Sequence, residues 1–229
     1  MATLVDLTQP VTTGMPWYPG DPQVSVAPAL TVARDGVNVL ALHCGSHSGT
    51  HVDAPFHVRD DLPDLDAVPL DRFTGPAVLV DARGLPPRSA IGPAALDGVR
   101  HLLAPGVVVL LVTGWSRYWG DPAYQAHPWP AVELAAELIA AGVRTVGIDA
   151  LSVDLTPEDP ATAVLTTHLE LAVPGCVIAE NLTGLAPLMA AQDRGARITV
   201  SLLPLRIAAG DGSPVRAVAW VDEQARISG

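Results

Sequence analysis

Lysine is missing from this chain: all 13 basic residues are arginine. That excludes a Schiff-base lysine and the lysine of a phosphate-binding P-loop, so pyridoxal and Walker-type chemistries drop out. Cysteine is nearly absent. Cys44 and Cys176 are too few for a disulfide framework, and both are expected to be buried free thiols. Long apolar runs are also lacking. The longest aliphatic stretch, Val107 to Val112, falls far short of the about 20 residues of a membrane span. Met1 to Thr8 shows no basic segment followed by an apolar stretch, so a soluble cytoplasmic protein is expected. Positive charge is in short supply, with 24 acids giving a net charge of -11. This disfavours contact with nucleic acid or an anionic membrane surface and leaves a small molecule, neutral or metal-bound, as the expected partner.

What is present is a core. With 229 residues, 49% of them apolar, the chain can bury a substantial interior and still form a single domain over 1–229. β-Branched, strand-like runs occur at Leu4–Leu7, Val24–Val26, Val37–His43, Ala77–Val80, Val107–Thr113, Thr145–Ile148, Cys176–Ala179, Ile198–Leu203 and Val215–Val221. Helical signal is confined to Ala131–Ala141, between Pro130 and Gly142, to Ala161–Leu171 and to a short piece at Pro93–Leu96. Many strands and few helices predict a mixed α/β domain without repeated β-α-β units.

Chemistry concentrates in one run, H47-S-G-T-H-V-D-A-P-F-H57. Gly49, the β-branched Thr50 and Val52, and Pro55 oppose a regular helix there, so an extended path is expected. In extended chain residues at even spacing share a face, and His47, His51, Asp53 and His57 can then converge on one cavity. Three imidazoles and a carboxylate suit a borderline divalent cation such as Zn²⁺, Mn²⁺ or Fe²⁺. His43 shares the parity but lies at the end of an apolar run and reads as a satisfied strand histidine; Cys44 has the opposite parity and is left out.

Four side chains on one short segment do not easily close a metal site, so later ligands are sought, and His168 and Glu180 are the candidates. Glu180 ends the apolar run C176-V-I-A179, where a buried carboxylate needs a cation or several donors. A helix-surface histidine and a glutamate capping the chain from Asn181 onward are the competing readings, and spacing does not separate them.

The run His47 to His57 resembles the His-x-Gly-Thr-His-x-Asp-Ala-Pro-x-His signature of the metal-dependent cyclase-like hydrolases, which include bacterial kynurenine formamidases and isatin hydrolases. W17-Y-P-G-D-P22, G147-I-D-A-L-S-V-D154, and His168 followed by E180-N-L182 extend the resemblance over most of the chain. It implies a swivelling β/β/α domain with a mixed sheet and few helices, and a homo-oligomer, dimer or tetramer. It also implies that His47, His51 and Asp53 bind one metal, with Asp53 bridging to a second held by His168 and Glu180, two ions of Zn²⁺ or Mn²⁺ per subunit. His57 would be the catalytic acid/base. Val58 stands where formamidases often carry an aromatic residue, and Glu170 is an additional acid that could compete for the second site.

The expected reaction is hydrolysis of an amide, an aryl formamide such as N-formylkynurenine, or a lactam, by metal-activated water. Trp17, Tyr18, Phe56 and Trp115 are the candidate pocket walls for an aryl group. The alternatives are a cyclase, dehydratase or lactonase using the same ions, and a non-catalytic metal-binding module with every coordination position filled by protein.

Overall fold

The computed structural model describes residues 2–226. In chain order its strands are β1 (Thr3–Asp6), β2 (Ser25–Leu30), β3 (Val39–His43), β4 (His51–Asp53), β5 (Thr74–Asp81), β6 (Ala90–Ile91), β7 (Val108–Val112), β8 (Trp129–Pro130), β9 (Thr145–Ile148), β10 (Val177–Glu180), β11 (Ala196–Ser201), β12 (Gly212–Pro214) and β13 (Val218–Arg226). The helices are α1 (Val32–Asp35), α2 (Val132–Ala140), α3 (Thr166–Ala172) and α4 (Leu185–Asp193).

Nine strands form one mixed sheet in the order β1-β13-β11-β5-β7-β9-β10-β4-β12. Its centre, β5, β7, β9 and β10, is parallel, and antiparallel limbs extend it on both sides. The central strands are apolar on both faces because both are covered. Leu79, Leu110 and Ala179 face one hydrophobic cluster, while Val80, Leu111 and Ile178 face the other. The first cluster takes Leu188 and Met189 from α4 and joins Val52 of β4 to Val200 of β11 and Ala219 of β13, so the two limbs of the sheet curl toward each other. The second takes Leu134 and Leu138 from α2 and Leu171 from α3.

The α/β architecture agrees with the sequence reading, with corrections. Parallel neighbours β7 and β9 are joined through α2, and β9 and β10 through α3, so β-α-β crossovers do occur. The helix expected over Ala161–Leu171 begins only at Thr166, after a separate 3₁₀ turn at Pro160–Thr162. α4 was not expected. Gly184 and Pro187 weaken the helical signal there, but proline is tolerated in a first turn, and Gly184, at φ +68°, sits where a Cβ would lie 2.7 Å from the Asp6 carbonyl oxygen.

β2 and β3 stand apart from the large sheet as a two-stranded ribbon. Leu40 and Leu42 are 59% and 66% exposed, and His43 is exposed as well, so it is a strand histidine but not a buried one. Cys44 is exposed too, and only Cys176 is the buried thiol expected.

β5 pairs with β11 only over Thr74–Pro76. Farther along, Gln192 of α4 takes over that edge. Its Oε1 accepts the Leu79 N–H and its Nε2 donates to the Leu79 carbonyl, both at 2.8 Å. Gln192→Leu leaves both backbone groups unpaired in a buried place, a loss on the order of 2 kcal/mol. Urea unfolding should show it as a lower midpoint at unchanged slope; an unchanged midpoint would mean that the amide bonds carry no net stability.

Candidate metal centre

The centre forms at the carboxyl ends of the parallel strands β9 and β10, where chain leaves the sheet and side chains can converge. β4 lies antiparallel to β10 with His51 opposite Glu180 and Asp53 opposite Ile178. That register puts the imidazole and both carboxylates on one face. The loop after β9 adds Asp154, and α3 adds His168.

His47 and His57 arrive by another route. Extended chain covers only His51–Asp53; His47 lies in the preceding turn, and His57 ends a 3₁₀ turn at Pro55–His57. The parity argument thus names residues that do converge, through a geometry that holds for two of them. Gly49 makes the turn, at φ +67°, a conformation glycine adopts without steric cost. Thr50 pins it, donating to the Asn181 carbonyl at 2.7 Å while accepting the Gln9 N–H at 2.8 Å. Gly212 leaves room for the His47 ring: a Cβ there would lie 2.5 Å from His47 Cε1.

Candidate ligand atoms of His47, His51 and Asp53 lie within 4.8 Å of one another, as do those of Asp53, His168 and Glu180. A third, overlapping group is His47, His57 and Asp211. Asp53 is common to the first two. Its Oδ1 is 2.7 Å from His47 Nδ1 and 3.1 Å from His51 Nε2, and its Oδ2 is 3.7 Å from His168 Nε2. Glu180 lies 3.6 Å from His51 Nε2 and 3.5 Å from His168 Nε2, and its Oε1 accepts the Val153 N–H.

Each of these imidazoles has its other nitrogen occupied. His51 Nδ1 pairs with the Gly49 carbonyl at 2.8 Å, His168 Nδ1 with Asp154 Oδ2 at 2.7 Å, and His47 Nε2 with Asp211 Oδ2 at 3.1 Å. An outward-facing N–H held by an oxygen fixes ring and tautomer and leaves the inward nitrogen a lone pair, the arrangement typical of metal-ligating histidine. Asp154 also accepts the backbone N–H groups of Thr167 and His168, anchoring the first turn of α3.

The residues present fit a divalent cation. Asp53 Oδ2 is buried without a hydrogen-bond partner, and an orphaned carboxylate oxygen in such a place is costly unless a cation balances it. The donor set, imidazole nitrogen and carboxylate oxygen, suits Zn²⁺ or Mn²⁺.

The electrostatics record the same tension. Burial raises Asp53, but His51 and His47 outweigh it and hold the carboxyl well below its ordinary value. Burial and the Asp53 charge push Glu180 up. Burial would lower His47, yet Asp53 and Asp211 lift it to about 9; His168, likewise opposed by burial, is lifted by Asp154 and Asp53 to about 10. His57 goes the other way, because burial and the surrounding imidazoles outweigh Asp53 and lower it to about 4.

A cavity opens over this cluster, lined by His47, His51, His57, His168 and Glu180 together with Pro16, Trp17, Tyr18, Asp21, Leu151, Ser152, Leu165 and Asn181. Trp17 and Tyr18 are therefore placed as expected for pocket walls. Phe56 and Trp115 are not among the lining residues: Trp115 packs in the core beneath the sheet, 4% exposed, so its bulk serves packing. Glu170, the competing acid, is in none of the clusters that could hold an ion among the described residues. Sequence reasoning gave no role to Asp154, Asp211, Asp21 and Asn181, although all but Asp211 lie inside the runs that carry the resemblance. Asp211 precedes a glycine, a pairing common in turns, and no spacing rule links Asp154 to a histidine 14 residues on.

If His47 and His168 are protonated in the metal-free protein and neutral as ligands, cation binding must expel their protons. Zn²⁺ titrations at pH 7 in buffers of different ionisation enthalpy should report about two protons released per subunit. Affinity should climb as pH rises toward the two raised values, because less proton competition remains. A buffer-independent enthalpy would overturn the assignment.

Comparison with known proteins gives the family. Residues 5–155 match the Cyclase family model, described as "Putative cyclase". A kynurenine formamidase of Salinibacter ruber (strain DSM 13855 / M31) is 34% identical over 221 residues, which is 94% of this chain and 96% of the relative. An isatin hydrolase bound to the product analogue thioisatinate shares the fold with a TM-score of 0.85 at 21% identity, over 96% of this chain and 93% of that one. Isatin hydrolase A from Ralstonia solanacearum gives 0.83 at 25% identity, over 96% and 92%. With the signature run, the curled mixed sheet and the imidazole–carboxylate cluster all in place, the chain belongs to the cyclase family of metal-dependent hydrolases.

Proposed function

We propose that the whole chain, acting as one domain, is a metal-dependent hydrolase that cleaves the amide of an aryl formamide or a related cyclic amide. Two divalent ions, Zn²⁺ or Mn²⁺, are held per subunit: one by His47, His51 and Asp53, the other by Asp53, His168 and Glu180. The observation that carries this reading is the orphaned Asp53 Oδ2 among inward-facing imidazole nitrogens, beside a cavity with apolar walls. The similarity to a kynurenine formamidase over nearly the whole chain supports the amide as substrate.

A bound ion supplies Lewis acidity toward a carbonyl oxygen and lowers the pKa of water to about 7. The chain's own residues do the rest. His57 lines the cavity with its ring centroid 3.8 Å from that of His47 and its Nδ1 4.0 Å from Asp211 Oδ2. Its pKa, lowered to about 4, leaves the imidazole neutral at pH 7, so it can accept a proton from the attacking water. The same ring then returns the proton to the departing nitrogen, which an anilide needs in order to leave. Trp17, Leu151 and Leu165 offer the apolar surface an aryl group would cover.

No helix of the described residues is long and apolar enough to cross a membrane, and the two free thiols, one of them exposed, suit a reducing cytoplasm. We assign the working form as a homo-oligomer built through the β2–β3 ribbon. A lone two-stranded ribbon is marginal in water, and this one leaves Leu40 and Leu42 exposed on one face, with Leu30 and Val39 exposed as well.

Two predictions follow from these assignments. Asp53→Ala should purify without either ion, whereas His57→Ala should keep its metal and lose at least about 10²-fold in kcat; metal analysis alongside formate release from formanilide checks both, and full activity in His57→Ala would remove it as the proton carrier. Leu40→Glu combined with Leu42→Glu should yield a monomer by light scattering, and an unchanged mass would place the interface elsewhere.

A further inference from the structure

Asn181 directly follows Glu180 and is one of three non-glycine residues among those described with positive φ, at +57°. Asparagine tolerates this region better than most residues, yet it persists only where the surroundings impose it, and such positions cluster at functional sites. Here three bonds impose it. The Asn181 N–H donates to the Ala150 carbonyl at 2.9 Å, its carbonyl accepts the Thr50 hydroxyl at 2.7 Å, and its side-chain Oδ1 accepts the Tyr124 hydroxyl at 2.8 Å. Asn181 is 3% exposed and Tyr124 1%.

With Oδ1 accepting from the Tyr124 hydroxyl, the side-chain amide is held in this orientation. Its Nδ2, a donor of two hydrogens, is the one polar group of Asn181 outside these bonds, and the residue lines the same cavity as His57 and Trp17. The Tyr124 phenol reaches it from the hydrophobic cluster that lies on the same face of the sheet as Glu180. A core tyrosine thus orients the amide of a residue that lines the substrate cavity. A neutral donor suits this place, because it adds no charge beside Glu180 and is aimed before any ligand arrives.

We infer that the Asn181 side-chain amide is a substrate-binding group that donates from Nδ2 to the oxygen of the scissile carbonyl, with Tyr124 as its positioning residue. This rests on the hydrolase reading above and deepens it: the preferred ligand carries an acceptor oxygen at that point, as an amide or a carboxylate does. A donor held there stabilises the oxygen most when negative charge builds on it, so its loss should appear mainly in kcat.

The test uses the metal-loaded full chain and Asn181→Gly, which removes the amide at a φ that glycine accepts freely. Three measurements are made: metal content, kcat and KM for formanilide, and the affinity for benzoate, an aryl carboxylate with acceptor oxygens that is not turned over. Asn181→Gly should keep its metal, lose about 10²-fold in kcat and bind benzoate about tenfold more weakly. Tyr124→Phe, which keeps the amide but unties it, should show a smaller loss in kcat at unchanged metal content. Wild-type kcat and benzoate affinity in Asn181→Gly would overturn the inference. Loss of metal in that variant would also overturn it, since Asn181 would then act only by placing Glu180. Absence of formate release by the wild-type protein would count against the hydrolase reading, and the benzoate arm would still decide the role of Asn181.

Discussion

The Asp53 carboxylate is the constraint to which the rest of the centre answers. It is 2% exposed, at the end of a three-residue strand between β10 and β12, where an anion has no water to balance it. His47 and His51 sit on one of its oxygens and His168 stands off the other. Taking any charge out of water costs several kcal/mol, so the cluster is viable only as a set. The raised pKa values of His47 and His168 are what the chain offers in place of a cation: protons occupy the lone pairs that an ion would use.

The parts that look remote from the chemistry serve this balance. Asp154 links the loop after β9 to α3 and orients His168; Asp149 does comparable work one layer away, accepting the Thr113 and Gly114 N–H groups and tying the end of β7 to that of β9. Thr50 couples the signature turn to Asn181, so His51 and Glu180 are related by side-chain bonds as well as by strand pairing. The outer partners determine which nitrogen of each imidazole faces inward, and the site is therefore set before an ion arrives.

Much of this was legible from the chain, for physical reasons that can be named. β7 and β9 stand out because strands buried on both faces read as unbroken β-branched runs, and the His47–His57 run stands out because imidazoles at short spacing are rarely accidental. The shape of that run was not legible. Even spacing suggested one extended face, whereas the backbone bends at Gly49 and again at Pro55, and convergence depends on those bends. Acids are common on any surface, so Asp154 and Asp211 could not be told from solvated ones until the fold brought them to His168 and His47. α4 was hidden by a proline that its first turn tolerates. The β2–β3 ribbon had the apolar pattern of a core strand and turned out to be exposed, because pattern reports that a surface wants cover without saying whether the cover comes from the same chain.

The pairing of β4 with β10 carries a further consequence. Successive residues of a strand face opposite sides, so a slip of one position would turn His51 and Asp53 away from Glu180 and into the apolar layer. A misthreaded chain therefore has no complete cage to offer, and the donor set for an ion exists only in the correctly registered form.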